Sequence, residues 1–239
     1  MTGIIVQLLI SWLLIWLFEK GSLQVLGFYP TKKRLLGFVL FFMVTAICCS
    51  SDFFMRMIFA QQQWEINPKL TANLILTGTW WNIKSVLFEE LIFRGVLFYI
   101  LIKKLGHTKA IFISAIAFGI YHWFSHEVFG DIKQMAITFV VTGTMGLVYA
   151  YAYSKTFSLY YPAAIHLGWN LTRSVIFSET VIGEQLLIPV KPVPEVTVSY
   201  FIYFCILLIP MLSAVLVNFF MLKNRQQEPI PRPRSVRNQ

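Results

Sequence analysis

The chain contains repeated apolar runs whose length matches the thickness of a lipid bilayer. A helix needs about 20 apolar residues to cross the hydrocarbon core, with a working range of about 17–25. Hydrophobic residues make up 57% of the 239-residue chain and charged residues 13%, unlike a soluble globular domain. Seven runs are candidate spans: 2–18, 35–51, 86–102, 110–125, 135–153, 158–177 and 199–222. The sequence therefore predicts an all-α protein, a polytopic bundle of transmembrane helices.

The stretch 52–85 leaves the number of spans open between seven and eight. Its segment LTANLILTGTWW, residues 70–81, is apolar and ends in two tryptophans, which favour the membrane–water interface. This segment fits an interfacial or re-entrant helix, and it also fits an eighth span that would reverse the direction of every later one. With seven spans, the third begins near residue 86 and carries Glu89 within about one turn of its outer end.

Positive charges alternate with the apolar runs, and their distribution predicts the orientation of the chain. With seven spans, 13 of the 20 Lys and Arg residues fall on one side, 6 on the other, and Arg94 lies within a span. Cytoplasmic loops carry the excess of positive charge, so we expect a multi-pass protein of the cell membrane with a cytoplasmic C-terminus. A nucleic-acid-binding protein would gather its basic residues in one patch, so we expect no nucleic-acid partner despite the net charge of +9.

The domain organisation predicted from these patterns is simple. Residues 1–222 form one membrane-embedded domain, which has the lipid bilayer as its surroundings. Residues 223–239 form a tail that ends in EPIPRPRSVRNQ. This tail is basic and proline-rich, so we expect it to be disordered and to lie on the cytoplasmic side.

Two carboxylates and an arginine interrupt the third apolar run, in the segment LFEELIFRG at residues 87–95. An ionisable group at the centre of a transmembrane helix costs about 2.5 kcal/mol or more unless it is paired or hydrated. Glu90 and Arg94 are four residues apart and can form an ion pair, whereas Glu89 points about 100° away. A charge network that only holds helices together is the alternative, but an unpaired carboxylate is a poor way to stabilise a fold. The pattern favours a functional site in which Glu89 is available.

Two further motifs place polar side chains on later spans. AFGIYHW carries Phe118 and His122 four residues apart, and AAIHLGWN carries His166 and Asn170 at the same spacing. Each pair shares one helix face, and antiparallel spans would let these side chains converge with Glu89 in one cavity. Two chemistries are open at this point. Glu89, His122 and His166 could bind zinc, or Glu89 could act as general base on water while His166 and Asn170 stabilise an oxyanion.

The order EExxxR, FxxxH and HxxxN on successive apolar runs resembles the CPBP family of intramembrane proteases. This family includes the type 2 CAAX prenyl endoproteases and the bacteriocin-processing or self-immunity (Abi) proteins. The resemblance extends over residues 85–172 and implies an endopeptidase that hydrolyses a peptide bond in a membrane-associated peptide or protein tail. It implies catalysis by Glu89 with an ion pair of Glu90 and Arg94 beside it. The remaining motif residues are Phe118, His122, His166 and Asn170.

The resemblance leaves the cofactor and the alternatives open. Members of the family are described both as metalloproteases and as glutamate-dependent enzymes without bound metal, so no cofactor is certain and zinc stays possible. The zinc motif HExxH does not occur in the sequence. A non-catalytic membrane scaffold or bacteriocin self-immunity protein is the leading alternative, although it would have no reason to keep Glu89. A proton-coupled transporter is disfavoured because inverted repeats are not evident.

Overall fold

The computed structural model describes residues 2–180, 182–192 and 196–231. Within these ranges the chain forms eight α-helices: α1 (Thr2–Glu19), α2 (Lys32–Phe59), α3 (Ala72–Phe93), α4 (Val96–Leu105), α5 (His107–Ser125), α6 (Ile132–Thr156), α7 (Tyr160–Leu171) and α8 (Tyr200–Lys223). Two short strands, β1 (Trp64–Ile66) and β2 (Leu187–Pro189), pair antiparallel. The predicted all-α class is confirmed apart from this two-stranded ribbon, which the sequence pattern did not indicate.

Among the described residues, four helices are long and apolar enough to cross a membrane. These helices are α1, α2, α6 and α8. Large apolar side chains stand exposed on their outer faces, as at Leu9, Ile47 and Phe201. Such a continuous apolar surface is stable against lipid and not against water, so the chain has the helices of a membrane protein. The count of seven or eight spans stays a prediction.

The helix α3 begins at an N-cap residue, well before the position that hydropathy predicted for the start of the third span. The side chain of Thr71 accepts a hydrogen bond from the N–H of Leu74, which satisfies one of the free donors of the first turn. The helix therefore begins at Ala72 and not near residue 86, and LTANLILTGTWW belongs to its first half. Glu89 consequently lies near the C-terminal end of α3, and its expected position near the start of a span is wrong.

The predicted third span 86–102 is also broken in its middle. Helical geometry stops at Arg94 and resumes at Val96, the first residue of α4. A Cβ atom on Gly95 would lie 2.0 Å from the carbonyl oxygen of Leu91, so this turn admits only glycine. The hydropathy of the sequence gave no sign of this break, because the residues on both sides of it are apolar. The break places the Arg94 side chain at the end of α3 and not in the middle of a continuous span.

Ion pairs tie the helix termini together at one end of the bundle, which we call the basic end. Lys103 on α4 pairs with Glu19 at the end of α1. Lys33 on α2 lies 2.5 Å from the carboxylate of Glu228, beyond α8. At the opposite end, the mouth end, α2 and α5 finish while α6 and α8 begin. The helices α2 and α5 therefore run towards the mouth end, and α6 and α8 run away from it.

Residues 224–231, the C-terminal strap, lie across the basic end. The N–H of Glu228 donates to the carbonyl of Lys155 on α6 at 3.0 Å, and the hydroxyl of Tyr99 on α4 donates to the carbonyl of Pro231 at 2.6 Å. Arg225 donates to the hydroxyl of Tyr161 on α7 at 3.0 Å. Hydrogen bonds therefore hold this segment against the helices. Residues 232–239 lie outside the described ranges, and the disorder of the tail stays a prediction.

The helices that carry the motifs are held by close backbone contacts. A Cβ on Gly168 of α7 would lie 2.5 Å from the carbonyl oxygen of Phe42 on α2, so the two helices approach as closely as small residues allow. A Cβ on Gly119 of α5 would lie 2.7 Å from the ring of Phe139 on α6. These contacts fix α5 and α7 on either side of a cavity.

Candidate active site

A cavity of about 1140 Å³ opens at the mouth end and extends between α3, α5 and α7. Residues of all three sequence motifs line it: Glu89, Phe118, His122, His166 and Asn170. Glu90 and Arg94 are 1% and 0% exposed. The two neighbouring glutamates of α3 therefore differ in their surroundings, since Glu89 lines the cavity and Glu90 is enclosed by protein.

The carboxylate of Glu89 points at two histidines. Its Oε2 atom lies 3.9 Å from Nε2 of His122 and 3.8 Å from Nε2 of His166. The hydroxyl of Ser85, one turn earlier on α3, donates to the other oxygen, Oε1, at 3.4 Å. Oε2 is buried and has no hydrogen-bond partner within residues 2–180, 182–192 and 196–231. The atom that faces both imidazoles is thus free to bind something else.

The second nitrogen of each imidazole fixes its tautomer. Nδ1 of His122 lies 2.8 Å from the carbonyl oxygen of Phe118, which can only accept, so Nδ1–H donates. Nδ1 of His166 lies 2.8 Å from Oε1 of Glu90, which as a carboxylate also only accepts. In their neutral forms both histidines therefore present the lone pair of Nε2 to Glu89. Three acceptors that face one another require a proton, a water molecule or a cation between them.

Glu90 joins the predicted ion pair to this group. Its Oε1 accepts from Nη1 of Arg94 at 3.3 Å as well as from Nδ1 of His166. Arg94 donates its Nη2 to the carbonyl of Gly146 on α6 at 3.1 Å. The spacing in the sequence indicated the contact with Arg94, but it gave no sign of the contact with His166, 76 residues away. We call Glu89, Glu90, Arg94, His122 and His166 the deep cluster.

Aromatic rings hold the deep cluster in place. The guanidinium carbon of Arg94 lies 4.3 Å from the ring centre of Phe118 and 5.1 Å from that of Tyr149. Phe118 also packs edge-on against His122, at 4.4 Å between ring centres. Tyr149 stacks on His166 at 4.7 Å. Sequence reasoning missed Tyr149, because a tyrosine in an apolar run carries no spacing signal.

Asn170 lies one turn beyond His166 on α7 and lines the same cavity. The helix then changes its geometry, since residues Thr172–Ile176 form a π-helical segment in which the N–H of Phe177 bonds to the carbonyl of Thr172. π-helical turns are uncommon and occur often beside functional sites. Arg173 lies inside this segment. The helix α7 and the π-helical segment thus carry His166, Asn170 and Arg173 in succession along the cavity wall.

A second group of charges lines the cavity at its mouth, and sequence reasoning did not connect its members. We call it the mouth cluster: Asp52, Arg56, Arg173 and Glu179. Asp52 accepts from Nε and Nη2 of Arg56, both at 2.9 Å, and from Nη1 of Arg173 at 2.8 Å. Glu179 accepts from Nη1 of Arg56 at 2.5 Å and from Nη2 of Arg173 at 2.9 Å. The i, i+4 spacing of Asp52 and Arg56 was the one available signal.

The atoms around Glu89 are of the types that bind zinc, but the distances between them are larger than a zinc site requires. Two Nε2 atoms and a carboxylate oxygen are common zinc ligands, and both histidines have the outer partners that usually orient such ligands. Bonds of about 2.0 Å in a tetrahedral site bring neighbouring ligand atoms to about 3.3 Å. The observed separations of 3.8 and 3.9 Å are wider. Among the described residues, no group of three His, Cys, Asp or Glu side chains is arranged to hold a metal ion.

Glu89 is also reached from the side of the bundle. A groove of about 340 Å³ between α1, α3 and α5 is lined by Gly3, Phe88, Glu89 and Tyr121, and it has Lys84 at its edge. The groove and the large cavity share Trp81, Ser85, Glu89 and Tyr121. Glu89 therefore borders both the large cavity and the groove on the flank of the protein.

Comparison with known proteins identifies the segment that carries this site. Residues 71–172 match the family model described as type II CAAX prenyl endopeptidase Rce1-like. The match begins at the N-cap of α3 and ends just after α7, so it contains all three motifs. The chain matches none of the curated proteins and none of the solved structures with which it was compared. The family predicted from the three motifs is thus confirmed for this segment, since residues 71–172 match a type II CAAX prenyl endopeptidase Rce1-like domain.

Proposed function

We propose that the protein is an intramembrane endopeptidase that hydrolyses a peptide bond in a membrane-associated peptide or protein tail. The observation that carries this proposal is the position of Glu89 Oε2, which is buried, unpartnered among the described residues, and directed at two imidazole nitrogens. The Rce1-like domain supports a protease. A space bounded by one carboxylate and two Nε2 lone pairs suits a water molecule that donates its two hydrogens to two of these three acceptors.

In this mechanism Glu89 is the general base. As the water oxygen attacks the carbonyl carbon of the substrate amide, one water proton passes to Oε2 of Glu89. The C–N bond then breaks, and Glu89 returns the proton to the leaving nitrogen. Proton transfer of this kind contributes about 10²–10⁴-fold to the rate. The carbonyl oxygen becomes an oxyanion, and the side-chain amide of Asn170 is the group on the cavity wall suited to donate to it.

Glu90 is proposed to act on His166 and not on the substrate. Its carboxylate accepts from Nδ1 of His166 and therefore fixes the tautomer in which the Nε2 lone pair faces Glu89. His166 oriented in this way presents its Nε2 lone pair to the water held beside Glu89, while Asn170 is left to donate to the oxyanion. Arg94 pairs with Glu90 at 3.3 Å and holds that carboxylate in place. The pair thus orients the ring of His166, which adds to the structural role predicted from its spacing.

Access from the flank supports a substrate that reaches the site from the membrane. The groove between α1 and α3 presents Gly3 and Phe88 towards the apolar surface and leads to Glu89. An apolar anchor or segment of the substrate would fill it while the peptide bond enters the large cavity. A water-soluble substrate would gain nothing from such a lateral path.

We further propose that the mouth end faces outward and the basic end faces the cytoplasm. The excess of Lys and Arg at the basic end supports this orientation. Single cysteines at Ser125 and Lys104, in a chain that lacks Cys48, Cys49 and Cys205, would be treated in intact cells with a thiol reagent that does not cross membranes. We expect labelling at position 125 and none at position 104, whereas the opposite pattern would place the cavity mouth in the cytoplasm.

Glu89→Gln tests the proposed activity most directly. The substitution keeps the shape of the side chain but removes the base, so we expect cleavage to fall by about 10²-fold or more. Thermal unfolding should change little, because Oε2 has no partner to lose among the described residues. Comparative proteomics of cells producing the wild type and the variant would reveal an uncut membrane peptide. Identical peptide profiles would favour the non-catalytic scaffold or self-immunity protein instead.

Glu65→Gln is a suitable control for this comparison. Glu65 lies in β1, is exposed, and is far in sequence from the three motifs. Its substitution removes one carboxylate from the outer part of the protein without changing the deep cluster. We expect a peptide profile like that of the wild type, which would show that the loss in Glu89→Gln comes from the site.

A further inference from the structure

We propose that Arg56 and Arg173 form a binding site for a carboxylate of the substrate, and that Glu179 of the chain itself occupies this site until the substrate enters. The inference rests on the proposed peptidase function and adds a recognition site to it. The mouth cluster shows a carboxylate already bound in the expected way. One oxygen of Glu179 is held by Arg56 at 2.5 Å and the other by Arg173 at 2.9 Å.

The two arginines are held in position without Glu179. Asp52, which is 4% exposed, binds two nitrogens of Arg56 and one of Arg173. Both guanidinium groups also lie beside the ring of Phe53, at 5.6 and 5.7 Å from its centre. That ring is fixed in turn, since it stacks on Phe177 at 3.7 Å. The remaining donors, Nη1 of Arg56 and Nη2 of Arg173, would keep their place for another carboxylate.

The two acidic members of the mouth cluster differ in how firmly the fold holds them. Asp52 lies in the middle of the long helix α2. Glu179 lies beyond the π-helical segment, in the loop between α7 and β2, where its backbone N–H bonds to the carbonyl of Arg173 at 2.8 Å. Glu179 can leave by a movement of this loop, whereas Asp52 cannot leave without unfolding α2. Glu179 is therefore the exchangeable partner.

Charge balance favours replacement by another anion. The mouth cluster contains two positive and two negative side chains, which cancel. Departure of Glu179 would leave one net positive charge on a partly buried pair of arginines, and an incoming carboxylate would restore neutrality with the same two-armed geometry. A neutral amide in the same place would accept hydrogen bonds but would leave the charge uncompensated.

The location of the cluster places the bound carboxylate close to the peptide bond that is cut. Arg173 and His166 are seven residues apart on the same helical stretch of the cavity wall, which corresponds to about 10 Å at 1.5 Å per residue. An extended peptide covers that distance with about three residues. The carboxylate could belong to the C-terminus of the substrate or to an acidic side chain at that position, and both present the same chemistry to the arginines.

Binding to the non-cutting Glu89→Gln protein in lipid nanodiscs tests this site separately from catalysis. The probes are palmitoylated, fluorescent, alanine-rich peptides in three forms: a free C-terminal acid, its C-terminal amide, and the amide with one glutamate three residues beyond the intended cleavage position. We expect the acid or the glutamate form to bind at least about tenfold more tightly than the plain amide. The form that does so identifies the source of the carboxylate. Equal binding of all three would overturn the proposal.

Two variants of the mouth cluster are expected to change the binding of the carboxylate probe in opposite directions. Adding Arg173→Gln to the Glu89→Gln protein should abolish the preference for the carboxylate probe, and adding Glu179→Gln should strengthen binding of that probe a few-fold by weakening the internal competitor. Glu184→Gln is the matched control, because Glu184 lies in the same loop but pairs with the exposed Lys191. It should leave binding unchanged. If Arg173→Gln proved unstable, Glu179→Gln alone would decide, since weaker or unchanged binding there contradicts the proposal.

The outcome also separates this inference from the proposed function. Loss of cleavage in Glu89→Gln together with equal binding of acid and amide probes would retain the peptidase and reject the carboxylate site. Carboxylate-dependent binding without any cleavage by the wild type would retain the site and reject the peptidase. The two proposals thus fail on different measurements.

Discussion

The deep cluster and the mouth cluster line or adjoin the same cavity but differ in how completely their polar atoms are bonded. In the mouth cluster, all four carboxylate oxygens of Asp52 and Glu179 accept hydrogen bonds from arginine. In the deep cluster, one oxygen each of Glu89 and Glu90 and the Nε atom of Arg94 lack partners among the described residues, although they are buried. The more enclosed cluster is thus the less satisfied one.

This difference in hydrogen bonding indicates that the charged residues of the two clusters serve different purposes. A buried polar atom without a partner costs about 1–3 kcal/mol, so a fold selected only for stability would not keep three of them in one place. The deep cluster has the unpaired polar atoms that are expected of a site able to bind water or substrate. The mouth cluster is saturated by its own residues and partly exposed, which suits an arrangement that can exchange one partner at little cost.

Arg94→Ala should have the largest effect on stability. It would remove the positive charge that compensates Glu90 in a fully enclosed place, and breaking such a pair costs about 3–5 kcal/mol. We expect a large loss of folded protein and a lower free energy of unfolding, measured by thermal or chemical unfolding in detergent. Arg173→Ala is the comparison in the mouth cluster, where the side chain is 28% exposed, and it should cost only about 1 kcal/mol. Equal losses would remove the distinction between the clusters.

Gly95→Ala should disturb the deep cluster while it leaves the mouth cluster intact. The added Cβ would lie 2.0 Å from the carbonyl of Leu91, so the turn between α3 and α4 must shift and carry Arg94 with it. Overpacking of this kind costs about 1–3 kcal/mol. Gly143→Ala is the control within α6, because its Cβ would meet only the carbonyl of Ala115, at 3.7 Å. Wild-type unfolding and activity in Gly95→Ala would show that the break does not position Arg94.

Removal of divalent metal should have the smallest effect. The spacing around Glu89 is wider than a tetrahedral zinc site requires, and the proposed base acts on water directly. We expect purified protein to retain its cleavage rate after prolonged treatment with a chelator and dialysis. Metal analysis of the same samples provides the control. One equivalent of zinc, lost together with activity and restored with it, would assign the water to the metal.

The motif residues could be predicted from the sequence, but most of the contacts between them could not. The i, i+4 spacings of Glu90 with Arg94 and of Phe118 with His122 are local, and a helix converts such spacing into contact. The bond from His166 to Glu90 and the pairing of Asp52 with Arg173 join positions 76 and 121 residues apart. Such contacts depend on which helices pack together, and hydropathy does not encode that choice.

The limits of some helices could also be predicted from the sequence, whereas the limits of others could not. Helices flanked by charged loops, such as α1, α6 and α8, ended close to their predicted limits. The start of α3 and its break at Gly95 were missed, because a hydropathy window averages over a threonine cap and a single glycine. The strap 224–231 was missed because proline and basic residues dominate its composition, although Tyr99 and Lys155 supply it with fixed partners.

The π-helical segment Thr172–Ile176 also bears on how such proteins can diverge. A π-helical turn corresponds to one residue inserted into an α-helix, and each residue of an α-helix turns the chain by about 100°. Deletion of a single codon there would restore regular geometry and rotate Arg173 away from Asp52, while His166 and Asn170 would stay where they are. Related genes could therefore gain or lose the arginine pair at the mouth in one mutational step, with every motif residue unchanged.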